Sequence, residues 1–126
     1  VMNVSLVSFG FKHGIPFGAD LLFDVRCLPN PHFDPALGPL SGLDEPVREF
    51  LRQRTDFQEL LGRLADLLRF LLPRYQQENR SYLTVGIGCT GGRHRSVYVA
   101  ERLGRDLAAA GYPVRIAHRD DTREGP

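Results

Sequence analysis

Tyr82-Leu83-Thr84-Val85-Gly86-Ile87-Gly88-Cys89-Thr90-Gly91-Gly92-Arg93-His94-Arg95-Ser96 is the stretch on which the fold turns. Tyr82 to Gly88 has few polar residues, the pattern of a central strand covered on both faces. From Arg95 to about Ala110 the spacing becomes helical, with Val99, Ala100, Leu103 and Leu107 inward, and Gly111 with Pro113 stops it. The glycine pair therefore joins a buried strand to a helix. That junction collects unpaired backbone N–H groups and the positive end of the helix dipole. Gly91 and Gly92 can take positive φ and let the N–H groups converge. Arg93 and Arg95 add fixed cations, His94 lies between them, and Thr90 and Ser96 add hydroxyl donors. A plain connector needs none of this chemistry, so residues Cys89 to Ser96, including Gly91 and Gly92, read as a cradle for a phosphate dianion.

Outward from that loop the chain alternates strands and helices. Val1 to Phe9 is β-branched and aromatic and ends at Gly10; Leu21 to Cys27 is a second strand. Pro29, Pro31, Pro35 and Pro39 then fix a rigid, non-helical loop, the kind of segment on which sites are built. Asp44 is placed to cap a helix over about Glu45 to Arg54, and Thr55 with Gln58 fits a capping box for the next. In that second helix Phe57, Leu60, Leu61, Leu64, Leu67, Leu68, Leu71 and Leu72 form a stripe that covers a sheet, with Pro73 and Asn79 marking its end. Val114 to Ala117 is the fourth strand. The order β-β-α-α-β-α-β predicts one α/β domain over residues 1–126. Its sheet is expected to be mostly parallel with helices on both faces, and its ligand to bind at the carboxyl ends of the strands.

Composition narrows the function classes. At 42% hydrophobic and 25% charged residues, 126 residues form an ordinary globular chain, which excludes disordered, collagen-like and coiled-coil readings. No apolar run approaches a membrane span, and no secretory pattern opens the chain. Sixteen basic against fifteen acidic side chains give a formal charge of +1, which excludes a globally basic nucleic-acid binder but leaves room for a local basic face. Lys12 is the only lysine; the abundance of arginine reflects compositional bias as readily as phosphate recognition. Cys27 and Cys89 make no disulfide framework, in keeping with a cytoplasmic protein, and no Cys/His spacing suggests a metal or other cofactor. His13 and His118 read as surface residues.

Asp24 and Arg26 in the second strand, and His32 and Asp34 in the proline loop, hang over the same edge as Cys89 if strands two and three are neighbours. There they suit the hydroxyls or amine of a sugar, or else simply form loop hydrogen bonds and salt bridges. Cys89-x5-Arg95-Ser96 is also similar to the signature loop of cysteine-dependent phosphatases, in which the thiolate attacks phosphorus and the Arg holds its oxygens. Gly88 stands where many of those enzymes have His. Such chemistry would make Cys89 and Arg95 catalytic and would need an acid from Asp24, Asp34 or His32; otherwise Cys89 only lines the pocket and there is no catalytic residue.

Four blocks in order, Ser8-Phe9-Gly10-Phe11-Lys12-His13-Gly14, Phe23-Asp24-Val25-Arg26-Cys27-Leu28-Pro29-Asn30-Pro31-His32, Gly42-Leu43-Asp44 and Gly86 through Val97, resemble the C-terminal domain of the RapZ/YvcJ family. Full-length members carry an N-terminal P-loop domain. No Gly-x4-Gly-Lys-Ser/Thr occurs here and the chain opens on Val1, so the resemblance implies an excised C-terminal half. It also implies a bacterial cytoplasmic regulator: an RNase adapter that binds small RNAs and an endoribonuclease, forms oligomers, and senses glucosamine-6-phosphate through a domain with a phosphofructokinase-like fold. Asp24, His32, Cys89, Thr90, Gly91, His94 and Arg95 match the phosphosugar pocket. Lys12, Arg93, Arg119 and Arg123 are the candidates for RNA contact. The family's RNA-binding member ends in a run of Lys and Arg, whereas here Asp120, Asp121 and Glu124 interrupt Arg119 and Arg123 and oppose phosphate binding.

Overall fold

A computed structural model describes residues 1–121. Four strands, β1 (Asn3–Gly10), β2 (Leu21–Asp24), β3 (Tyr82–Cys89) and β4 (Val114–His118), alternate with three helices, α1 (Glu45–Arg52), α2 (Thr55–Gln77) and α3 (Arg95–Ala109). Short 3-10 turns follow β1 (Phe11–His13) and β2 (Pro31–Phe33). The sheet order is β2-β3-β1-β4 and every pair is parallel. All four carboxyl ends therefore lie along one edge, where the segments after β1, β2, β3 and β4 meet.

Alternation in the strands decides which face is buried. Val4 and Leu6 of β1 are in register with Leu83 and Val85 of β3 and share one cluster with the apolar sides of all three helices. Helices thus cover one face of the sheet among the described residues, not two. The physical reason is topological. Both helical crossovers, β2 to β3 and β3 to β4, step the same way along the sheet, and right-handed connections stepping the same way fall on the same face. The step back from β1 to β2 contains no α-helix. On the second face, side chains do the covering: Leu22 and Phe9 lie over Gly86, and Phe9 and Phe11 over Gly88.

Three boundaries differ from expectation. β2 stops at Asp24 because its carboxylate takes the Arg26 N–H (2.9 Å) and bends the chain into a turn. α2 runs through Pro73 to Gln77, since Leu72 is fully buried and Tyr75 packs on the core; Asn79 at φ 67° closes it. The capping box does not form: Arg54 is the N-cap, and the Gln58 amide reaches the Arg52 carbonyl instead. Asp44 does stand at the N-cap of α1, but its carboxylate accepts from the Ser41 N–H (2.8 Å).

The joint between β1 and the loop after β3 is so close that a Cβ on Gly10 would stand 2.3 Å from the Gly91 carbonyl carbon. Backbone cannot yield as a flexible side chain can, so Gly10→Ala is expected to destabilise by about 1–3 kcal/mol. Gly62, inside α2 with open space where its Cβ would be, is the contrasting case: Gly62→Ala is expected to stabilise by about 0.5–1 kcal/mol. Denaturant unfolding of the two variants checks both signs.

Candidate functional site

A cavity of about 370 Å³ opens at the carboxyl edge of the sheet. Its floor is the loop after β3: Cys89, Thr90, Gly91, Arg93, His94 and Arg95 all line it. His32 and Asn30 line it from the proline loop, as do Lys12 and His13 from the turn after β1 and Asp120 from the segment after β4. Gly92 and Ser96 do not line it. Gly92, at φ 80°, is pressed against Gly10 and Asp120, and the buried Ser96 hydroxyl accepts from the Cys89 thiol (3.2 Å). Asp24 does not line it either, because its carboxylate is clasped by the Arg26 guanidinium through Nε and Nη2 (3.0 to 3.1 Å and 2.7 Å). That clasp holds the Asp24 carboxyl below the ordinary carboxylate range, against the effect of desolvation. Arg26 in turn lies over the Phe11 ring at 4.0 Å.

Arg95 is 4% exposed. Its Nη1 donates to the carbonyls of Arg26 (2.9 Å) and Leu28 (3.0 Å) and its Nη2 to Thr90 Oγ1 (3.4 Å), while the buried Nε has no partner among the described residues. Arg93 donates from Nη2 to the Pro39 carbonyl (2.7 Å), and its buried Nε is likewise unpartnered. No backbone N–H of residues 90–94 donates to an acceptor among the described residues. Loop and helix start thus combine amides without acceptors among the described residues, two guanidinium edges and the positive end of α3, groups of the kind that can attract an anion.

The proline loop is clamped onto this floor. His94 Nε2 lies 3.1 Å from the Gly38 carbonyl, which can only accept, so Nε2 carries the proton. The Gly42 N–H reaches the Arg93 carbonyl (2.8 Å). A Cβ on Gly42 would collide with the His94 carbonyl oxygen at 2.4 Å, so only glycine permits this approach.

Lys12 is exposed but belongs to the cavity. Arg119 is spent within the chain: it binds Asp120 (2.8 Å) and the Gly14 carbonyl (2.6 Å), and its guanidinium lies 5.7 Å from the Phe9 ring centroid. Arg123 lies outside the described residues. His13, read as a surface residue, is exposed and also lines the cavity; its position just past the end of a central strand was the available signal. Asp120 was read only as a charge opposing phosphate. It reaches the cavity because β4 pairs with β1, and no local pattern announces that. His118 is not a free surface group, since it bridges Ser8 Oγ (2.6 Å) and Glu101 Oε2 (2.7 Å). Among the described residues there is no cluster of His, Cys, Asp and Glu able to hold a metal, and no helix long and apolar enough to cross a membrane.

The sequence profile described as RapZ C-terminal domain matches residues 2–122. A nucleotide-binding protein of Rubrobacter xylanophilus is 54% identical over 123 residues, 94% of this chain and 40% of that protein. One from Anaeromyxobacter sp. strain K is 55% identical over 123 residues, covering 98% and 42% respectively. One from Rhodospirillum centenum is 53% identical over 125 residues, covering 99% and 38%. The chain thus spans about two-fifths of the length of these relatives.

Burial holds the His94 pKa below the ordinary 6.5, against the pull of the Gly38 and Leu40 carbonyls, with Arg93 adding to the depression. The unfolded chain therefore takes up this proton before the folded one does. The stability His94 contributes is complete above about pH 6.5 and is lost as pH falls toward the depressed folded value. The carboxylates lowered by pairing, such as Asp20 and Asp24, begin to cost stability only near or below their ordinary 3.8. Melting temperature is expected to decline already between pH 6.5 and 5, and His94→Gln to flatten that decline. An equal slope in the variant contradicts the assignment.

Proposed function

Because the chain belongs to the RapZ C-terminal domain family, we propose that this regulatory domain binds a phosphorylated sugar in the cavity at the carboxyl edge of its sheet. Glucosamine-6-phosphate is the ligand that the family resemblance implies. The observation that carries the reading is the Arg95 guanidinium, almost wholly buried beside the cavity with Nε unpartnered among the described residues, next to the Thr90 and Gly91 amides, which donate to no acceptor among them. A buried, incompletely satisfied cation is costly, and a phosphate oxygen is a strong acceptor for it. In this reading the amides of Thr90 and Gly91 and the edges of Arg93 and Arg95 hold the phosphate. His32 and Asn30 face the sugar. Asp24, turned onto Arg26, acts only through the path of the chain it fixes.

The relatives' name, nucleotide-binding protein, belongs to longer proteins. This chain contains no Gly-x4-Gly-Lys-Ser/Thr loop, so the reading rests on a sugar phosphate rather than a nucleotide. The adapter role, with RNA, an endoribonuclease and self-association as its partners, is likewise a proposal taken from the resemblance. For RNA it draws on Lys12 and Arg93, because Arg119 is already engaged.

One contact favours a second reading. The Ser96 hydroxyl, 3.2 Å from Cys89 Sγ at the start of α3, is placed to support a thiolate, as a cysteine-dependent phosphatase would require. Of the three candidate acids Asp24, Asp34 and His32, only His32 lines the cavity.

Millimolar glucosamine-6-phosphate is expected to raise the melting temperature, since a ligand at a hundredfold over its Kd stabilises by about 2.7 kcal/mol. Arg95→Ala should abolish the shift. Thr90→Val, which leaves the Arg95 bonds to backbone in place, should reduce it. An unmoved melting temperature in the unaltered chain rejects the phosphosugar reading. Phosphate release from an aryl phosphate that Cys89→Ser stops would establish the phosphatase instead.

A further inference from the structure

Asp120 is the one acidic side chain among the described residues lining the cavity. It is held against the loop. Its Oδ2 accepts from the Gly10 N–H at 2.8 Å, and a Cβ on Gly92 would stand 2.9 Å from the Asp120 Cβ. Arg119 grips the same carboxylate through Nε (3.1 Å) and Nη2 (2.8 Å). Burial pushes the Asp120 pKa up, but Arg119, the Gly10 N–H and the charge of His13 outweigh it and hold the group below the ordinary 3.8. Asp120 is therefore an anion at neutral pH. Arg119 is not a lining residue and is turned toward the Gly14 carbonyl and the Phe9 ring, so the ion pair offers its carboxylate to the cavity.

Lys12, Arg93 and Arg95 line the same cavity. With Arg119, which pairs with that carboxylate from outside the lining, four fixed cations against one carboxylate leave an excess of three positive charges among the described residues, before any histidine is counted. One phosphate dianion stays within that excess, and a second phosphate overshoots it. In a cavity of about 370 Å³ a second phosphate also has little room to retreat from the carboxylate. Separations below roughly 8–10 Å, the Debye length at physiological salt, are poorly screened.

Resting on the phosphosugar reading above, we infer that Asp120 is a specificity-determining residue that admits sugar monophosphates and rejects bisphosphates. The carboxylate acts by repulsion against the wrong ligand rather than by attraction to the right one, a common source of discrimination. It also accounts for an ionised acid in a cavity otherwise equipped for anions.

Calorimetric titration of the chain with glucosamine 6-phosphate and with glucosamine 1,6-bisphosphate tests this, since the two differ only in the second phosphate. The unaltered chain is expected to bind the monophosphate at least about tenfold more tightly. Asp120→Asn keeps an oxygen for the Gly10 N–H and removes the charge, and is expected to narrow that preference about tenfold. Arg119→Gln removes the carboxylate's cation and is expected to widen it, which gives a second reading of the same charge should Asp120→Asn not fold. Equal or tighter binding of the bisphosphate by the unaltered chain overturns the inference, as does a preference unchanged in a folded Asp120→Asn. Binding of neither sugar overturns the phosphosugar reading itself, whereas binding with the opposite preference overturns only the role of Asp120.

Discussion

A guanidinium withdrawn from water is tolerable only if its hydrogens find acceptors, and Arg95 finds them in the backbone of a distant segment. Nη1 reaches the carbonyls of Arg26 and Leu28, residues 69 and 67 positions earlier in the chain. The first residue of α3 thus dictates where the chain travels after β2. That places the proline loop over the end of β3 and creates the cavity between them. Had Arg95 been satisfied completely, it would be a structural strut and nothing more. Its buried Nε has no partner among the described residues, so the strut keeps a donor in reserve.

Close backbone contacts keep that arrangement rigid. Gly10 meets Gly91 and Gly92 on one side, and Gly42 meets the His94 carbonyl on the other. At these two positions a methyl group would push the loop away from its neighbours. The loop is therefore held in shape by β1 and by the segment before α1. Preorganisation of this kind lowers the ordering cost that a small ligand would otherwise meet.

Much of the fold was legible because it depends on local patterns. The apolar run of Tyr82 to Gly88, the glycine pair and the helical spacing after Arg95 specified the strand, loop and helix in order. The cavity-lining residues of that loop followed from the same stretch. What sequence could not convey was strand order. The absence of helices from the second face among the described residues follows from both crossovers stepping the same way, a property of topology rather than of any segment. The same holds for Asp24, whose partner Arg26 turns it from the cavity, and for Pro73, where burial of Leu72 outweighs the usual helix-breaking role of proline. Resemblance pointed to His32 and the loop, but Asp120 lay in a segment read for its net charge alone.

The route by which Asp120 reaches the cavity explains why it escaped notice. His118, at the end of β4, forms a hydrogen-bonded row with Ser8 of β1 and Glu101 of α3. Ser8 is fully buried, so no substrate reaches its hydroxyl, and the row serves as a tie between sheet and helix rather than as a catalytic group. Immediately beyond it the Arg119 N–H bonds to the Ser8 carbonyl (3.0 Å), and Asp120 closes on the Gly10 N–H. The contacts to Ser8 and Gly10 join residues about 110 positions apart, so they exist only once β1 and β4 are paired. The negative wall of the cavity is therefore assembled by tertiary structure, whereas its positive floor is written into one contiguous loop. Residues of the first kind demand coordinates; those of the second kind can be read from sequence.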